Sequence, residues 1–108
     1  MQRKRPSLSL FVAGVLCAGV GSDAFANAAL AKKNECLGCH AAATRLVGPS
    51  YREVAARYAG QADAKQRIVE SIRNGSTGQW GDLQMPPHPK LSNAEADRLA
   101  TWILGGAK

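Results

Sequence analysis

A chain of 108 residues is the size of one domain, and nothing in it repeats at the periods of a solenoid or propeller. Its formal charge of +6 invites a nucleic-acid reading. The cationic side chains from Lys32 to Lys108 are scattered rather than gathered into a stripe, which excludes nucleic acid in favour of a solvated surface that steers a protein partner.

The chain opens with Arg3, Lys4 and Arg5, continues through an apolar stretch from Leu8 to Leu16, and reaches a small-x-small sequence at Ala24-Phe25-Ala26. That order predicts a secretory signal peptide over residues 1–26, with Asn27 as the mature amino terminus. The apolar stretch falls short of the roughly 20 residues a spanning helix needs, so no stable membrane insertion is expected. Lipidation at Cys17 is disfavoured, because Val15 and Leu16 stand where a lipoprotein signal has a small residue directly before its cysteine. Processing removes three cationic side chains and Asp23, taking the formal charge from +6 to +4. It also removes Cys17. The 82 residues that remain make a domain small enough to need a staple, and with only Cys36 and Cys39 left that staple is not a disulfide framework.

The run from Asn27 to Glu35 is rich in helix formers and predicts a first short helix leading straight into the cysteines. After the turn at Gly48-Pro49, Ser50-Tyr51-Arg52-Glu53 has the form of a capping box and opens a second helix that Gly60 stops. Asp63-Ala64-Lys65-Gln66 repeats the pattern, and Ile68, Val69 and Ile72 follow at helical spacing until Asn74-Gly75. Glycines and prolines then forbid a regular element before Ser92-Asn93-Ala94-Glu95 caps a last helix with Leu99, Trp102 and Ile103 along one side. No segment alternates like a strand, so the expected class is all-α, about four short helices in residues 27–108.

Cys36-Leu37-Gly38-Cys39-His40 carries the chemistry. In a C-x-x-C-H sequence each thiol can add to a haem vinyl group, and the next residue presents an imidazole to the iron. Two intervening residues on one helical turn set both sulfurs over one porphyrin edge. Half a zinc site is the competing reading, but the remaining ligand would have to be His88, far along in a proline loop. A redox dithiol would need a strand setting that the chain does not offer. For a second axial ligand the candidates in the mature chain are Met85, His88 and Lys90. Met85 is preferred, as a soft neutral donor in a loop stiffened by Pro86 and Pro87, while His88 is read as a loop residue facing solvent.

With these residues in view, the chain resembles the short bacterial class I cytochromes c, the cytochrome c-551 group. The likeness rests on the Cys36-to-His40 motif, Val47-Gly48-Pro49-Ser50-Tyr51, Ile72-Arg73-Asn74-Gly75-Ser76, Trp80-Gly81 and Met85-Pro86-Pro87, and it covers residues 28 to 108. It implies one haem c on Cys36 and Cys39, with iron held by His40 and Met85. It also implies that the Pro49 carbonyl accepts from the His40 ring, that Trp80 hydrogen-bonds a haem propionate, and that Val47, Tyr51, Val54 and Ile72 wall the pocket. The implied activity is electron transfer in the periplasm by a monomer that is not an enzyme. A quinol-oxidising complex would be its donor, and a nitrite reductase or terminal oxidase its acceptor. The chain departs from relatives at His88, where Asn is frequent, at Ser71, where some have an arginine, and at Pro89-Lys90-Leu91, one residue longer than in some.

Overall fold

The computed structural model describes residues 9–15 and 22–108. The predicted basic start, Cys17 and parts of the apolar stretch lie outside the described residues. The part of that stretch which is described, 9–15, has no regular structure, and Phe11 there is 95% exposed.

Four helices follow: α1 (Ser22–Lys33), α2 (Tyr51–Tyr58), α3 (Ala64–Asn74) and α4 (Asn93–Leu104), with a 3-10 turn at Cys36–Gly38. Among the described residues there is no strand, only isolated bridges between His40 and Arg45 and between Ser76 and Met85. No described helix is long and apolar enough to cross a membrane.

The first helix departs from expectation at both ends. It begins at Ser22, so the expected processing site at Ala24-Phe25-Ala26 lies within its first turns, and it ends at Lys33 rather than Glu35. Asn34 closes it by donating from backbone and side chain to the Leu30 carbonyl. Glu35 then adopts a left-handed conformation, with φ of 60°, so the chain changes direction before the cysteines instead of leading straight into them.

Ser50 and Ser92 form complete capping boxes. Each hydroxyl accepts from the amide three residues on, of Glu53 or Glu95, and that glutamate's carboxylate accepts the serine amide in return. Asp63 does not repeat the device. Its backbone, at φ −96° and ψ 8°, is close to helical rather than extended, and its side chain makes no capping bond.

Helix α4 packs on the other three, most extensively on α3. Ala31 of α1 and Ala96 and Ala100 of α4 are buried in one cluster, small side chains that allow the helices to approach closely. The larger members on the helices are Tyr51 and Tyr58 of α2, Ile68 and Ile72 of α3, and Leu99 and Ile103 of α4, with Leu91 joining them from the stretch before α4. The six on the helices also line a cavity, so the apolar faces of three helices surround a space instead of closing on each other.

Candidate functional site

The cavity has a volume of about 430 Å³, within the roughly 300–1,000 Å³ of sites that bury a small organic ligand. Its lining draws on all four helices, on the stretch between α1 and α2 and on that between α3 and α4. It brings together all ten residues singled out in the sequence: Cys36, Cys39, His40, Val47, Pro49, Tyr51, Val54, Ile72, Trp80 and Met85. Tyr51 and Ile72 are buried, Val54 is half-buried, and Val47 is 53% exposed, which places it on the rim rather than in the wall.

Cys36 and Cys39 are held by the 3-10 turn, in which the amides of Cys39 and His40 both donate to the Cys36 carbonyl. Neither is in a disulfide, and both are half-buried. Burial pushes the Cys36 thiol above its ordinary range, so it is stored as a protonated thiol before any bond is made to it.

His40 is fixed from two sides. Its Nδ1 lies 2.7 Å from the Pro49 carbonyl oxygen. A carbonyl can only accept, so Nδ1 carries the proton and Nε2 keeps its lone pair. On the other side stands Gly48, where a Cβ would fall 2.5 Å from His40 Cε1 and 2.9 Å from Nδ1. The lack of a side chain there makes room for the imidazole. The Tyr51 ring stacks on the His40 ring at 5.6 Å between centroids.

Met85 comes from the irregular stretch between α3 and α4, and its backbone is pinned. Its amide donates to Ser76 O at 2.9 Å and its carbonyl accepts from Ser76 N at 3.1 Å. Gly75 makes this pairing possible. Its φ is +77°, and a Cβ on it would fall 2.7 Å from the Met85 carbonyl oxygen. His88 does not face solvent as expected: it is half-buried, lines the same cavity, and is tied to the Ile72 carbonyl through its amide at 2.9 Å, with its Nδ1 at 3.3 Å from the same oxygen. Ser71 also lines the cavity.

Among the described residues two buried side-chain polar atoms have no partner, Tyr51 Oη and Trp102 Nε1. Both residues line the cavity and their rings lie 5.2 Å apart. Burial pushes the Tyr51 hydroxyl far above its usual range, so it stands as a neutral donor. A buried donor without a partner costs roughly 1–3 kcal/mol, so this pair calls for an occupant with polar atoms as well as an apolar body. The residues therefore fit a haem: apolar walls, two thiols on one turn, an imidazole with a free Nε2, a thioether, and unpaired buried donors. By contrast, no three His, Cys, Asp or Glu side chains are gathered into a metal cage among the described residues.

Gly48 and Gly75 escaped the reading of the sequence as site residues, and so did Trp102. The two glycines do stand beside Pro49 and Ser76, but nothing in the sequence says which side chain or carbonyl comes up against them.

Compared with known proteins, residues 26–107 match the family described as cytochrome c. Cytochrome c-552 of Nitrosomonas europaea is 44% identical over 97 residues, covering 90% of this chain and 92% of that protein. Cytochrome c-551 of Pseudomonas aeruginosa is 45% identical over 97 residues, covering 90% and 91%. The crystal structure of the wild-type Nitrosomonas europaea cytochrome c552 superposes with a TM-score of 0.70 at 46% identity, covering 72% of this chain and 96% of that one. The class 1 cytochrome MtoD from Sideroxydans lithotrophicus ES-1 does so at 0.68 with 27% identity, covering 82% and 100%.

Proposed function

The chain belongs to the cytochrome c family, and from that premise we propose that it is exported to the periplasm, loses residues 1–26, and carries electrons there with its iron held between His40 and Met85. It is a haem electron-transfer protein with one covalently bound haem c on Cys36 and Cys39, acting with redox partners. When bound, the haem supplies one-electron exchange between ferric and ferrous iron.

The observation that carries the ligand assignment is that His40 and Met85, 45 positions apart in sequence, reach one cavity with their surroundings already fixed. The Pro49 carbonyl sets the tautomer of His40 so that Nε2 is the donor, and Gly48 sets where the ring sits. The Ser76 bridge and Gly75 hold Met85 at the end of a loop that has no helix or strand of its own. A thioether donates weakly and favours ferrous over ferric iron, which raises the potential relative to a second imidazole or water. If His40 and Met85 both hold the iron, no substrate can reach the metal, and the chain is then a carrier and not an enzyme. The cationic surface suits partners with acidic docking faces, a quinol-oxidising complex as donor and a nitrite reductase or terminal oxidase as acceptor, met by a monomer.

Replacement of Met85 by alanine tests this reading. The reduced wild-type protein should not bind carbon monoxide, whereas reduced Met85→Ala, haem still attached, should bind it and show a lower potential. If His88 or Lys90 replaces the lost ligand, the corresponding double substitution should restore gas binding. A wild-type protein that binds the gas readily, or a variant with unchanged spectrum and potential, would make Met85 a packing residue and the protein a ligand binder.

A further inference from the structure

Trp80 lies in the stretch between α3 and α4 where no helix or strand holds the chain, yet it is half-buried and lines the cavity. Something other than regular structure must set its place. The C-terminal turn of α2 does so through one side chain. The Arg57 guanidinium carbon stands 4.3 Å from the centroid of the Trp80 ring, and its Nη1 donates to the carbonyl of Gln79, the residue before. A stacked guanidinium with a donor left for the neighbouring carbonyl fixes ring and backbone together, which a lysine ammonium, lacking the planar fork, cannot do.

The clamp is braced behind. Tyr58 Oη donates to Gln79 Oε1 at 3.4 Å, and Gln61 Nε2 donates to the Arg57 carbonyl at 3.1 Å. Arg67 of α3 donates to Gln61 Oε1 at 2.9 Å and lies over the Tyr58 ring at 5.1 Å. Among the described residues no hydrogen bond uses the Trp80 indole N–H. The network therefore holds the indole on the cavity wall and leaves its one donor free for an occupant.

We infer that Arg57 is a positioning residue for the haem, acting through Trp80. The inference rests on the haem-carrier reading of the same cavity. An indole N–H aimed at a negative group of the cofactor offsets part of that charge and favours the ferrous state, so releasing the indole shifts the equilibrium toward ferric.

A double-mutant cycle on the holoprotein decides it, with Arg57→Lys and Trp80→Phe made singly and together and haem attachment checked by intact mass. Arg57→Lys should shift the redox equilibrium toward ferric by about threefold, or ~30 mV for one electron. It should produce no further shift in the Trp80→Phe background. In the reduced protein the Trp80 indole proton should exchange faster with solvent when Arg57 is Lys. If Arg57 acts only as a charge, Arg57→Lys keeps the wild-type potential and Arg57→Gln shifts it equally with or without Trp80; that result overturns the inference alone. Wild-type chain isolated without haem overturns the carrier reading and the inference with it.

Discussion

At Gly48 the imidazole of His40 occupies the space a side chain would take, with the first methyl carbon due 2.5 Å from Cε1. Backbone cannot yield there cheaply, because the next carbonyl, that of Pro49, is the acceptor for Nδ1. Gly48→Ala should therefore push the ring off its acceptor and destabilise the protein by about 1–3 kcal/mol, the usual cost of overfilling a packed site. Urea unfolding measures the loss, and the visible spectrum should change with it, which an alanine at the open position Gly38 should not cause. The importance of Gly48 is hard to read from sequence, since a glycine before proline is equally a plain turn. His88 illustrates the converse: a histidine among prolines looks solvated until α3 is seen to offer it the Ile72 carbonyl.

Among the elements, α2 and α4 start in the same way, and both starts depend on a carboxylate. The Ser50 amide donated to its carboxylate holds Glu53 below the usual carboxylate range, with Arg45 at 3.2 Å assisting, and the Ser92 amide does the same for Glu95. A group whose folded value is depressed contributes stability above its unfolded value and loses it as pH falls through the folded one. Acid should thus weaken both helix starts, and the urea midpoint should fall with pH below the ordinary carboxylate range of about 4.3 more steeply in wild type than in Glu53→Gln. A parallel fall in both proteins would show that the box contributes nothing. These two starts are legible in sequence because Ser-x-x-Glu names both partners of the exchange. Asp63-x-x-Gln66 has the same spacing, but what decides is the backbone angle at Asp63, and Gly60 with Gln61 sets that by the turn they make before it. The end of α1 is illegible for a related reason: Glu35 is a good helix former, and only the demand to aim Cys36 and Cys39 at the cavity turns it left-handed.

For the whole molecule, the all-α class and the membership of the site follow from motifs that can be seen in the chain, whereas the shape of the core does not. Ile68, Leu99 and Ile103 read as ordinary helix faces, yet each faces the cavity. A chain of this size has little apolar area to spare, and without an occupant those side chains face a void or water. Replacing Cys36 and Cys39 by alanine should therefore give a chain that loses most of its far-UV helical signal and binds apolar dyes, while wild type with its haem keeps cooperative unfolding. A cysteine-free chain with native helicity would show that the helices suffice by themselves.

That shared wall has a consequence for traffic between proteins. An empty copy that kept its surface would compete for the same partners and return nothing, an inhibitor present in proportion to every failure of assembly. Here the side chains that hold the chain in shape also line the cavity, so an empty copy that loses its fold would have no finished face to offer. Each molecule that reaches a partner would then have been sorted, by its own core, as one able to deliver.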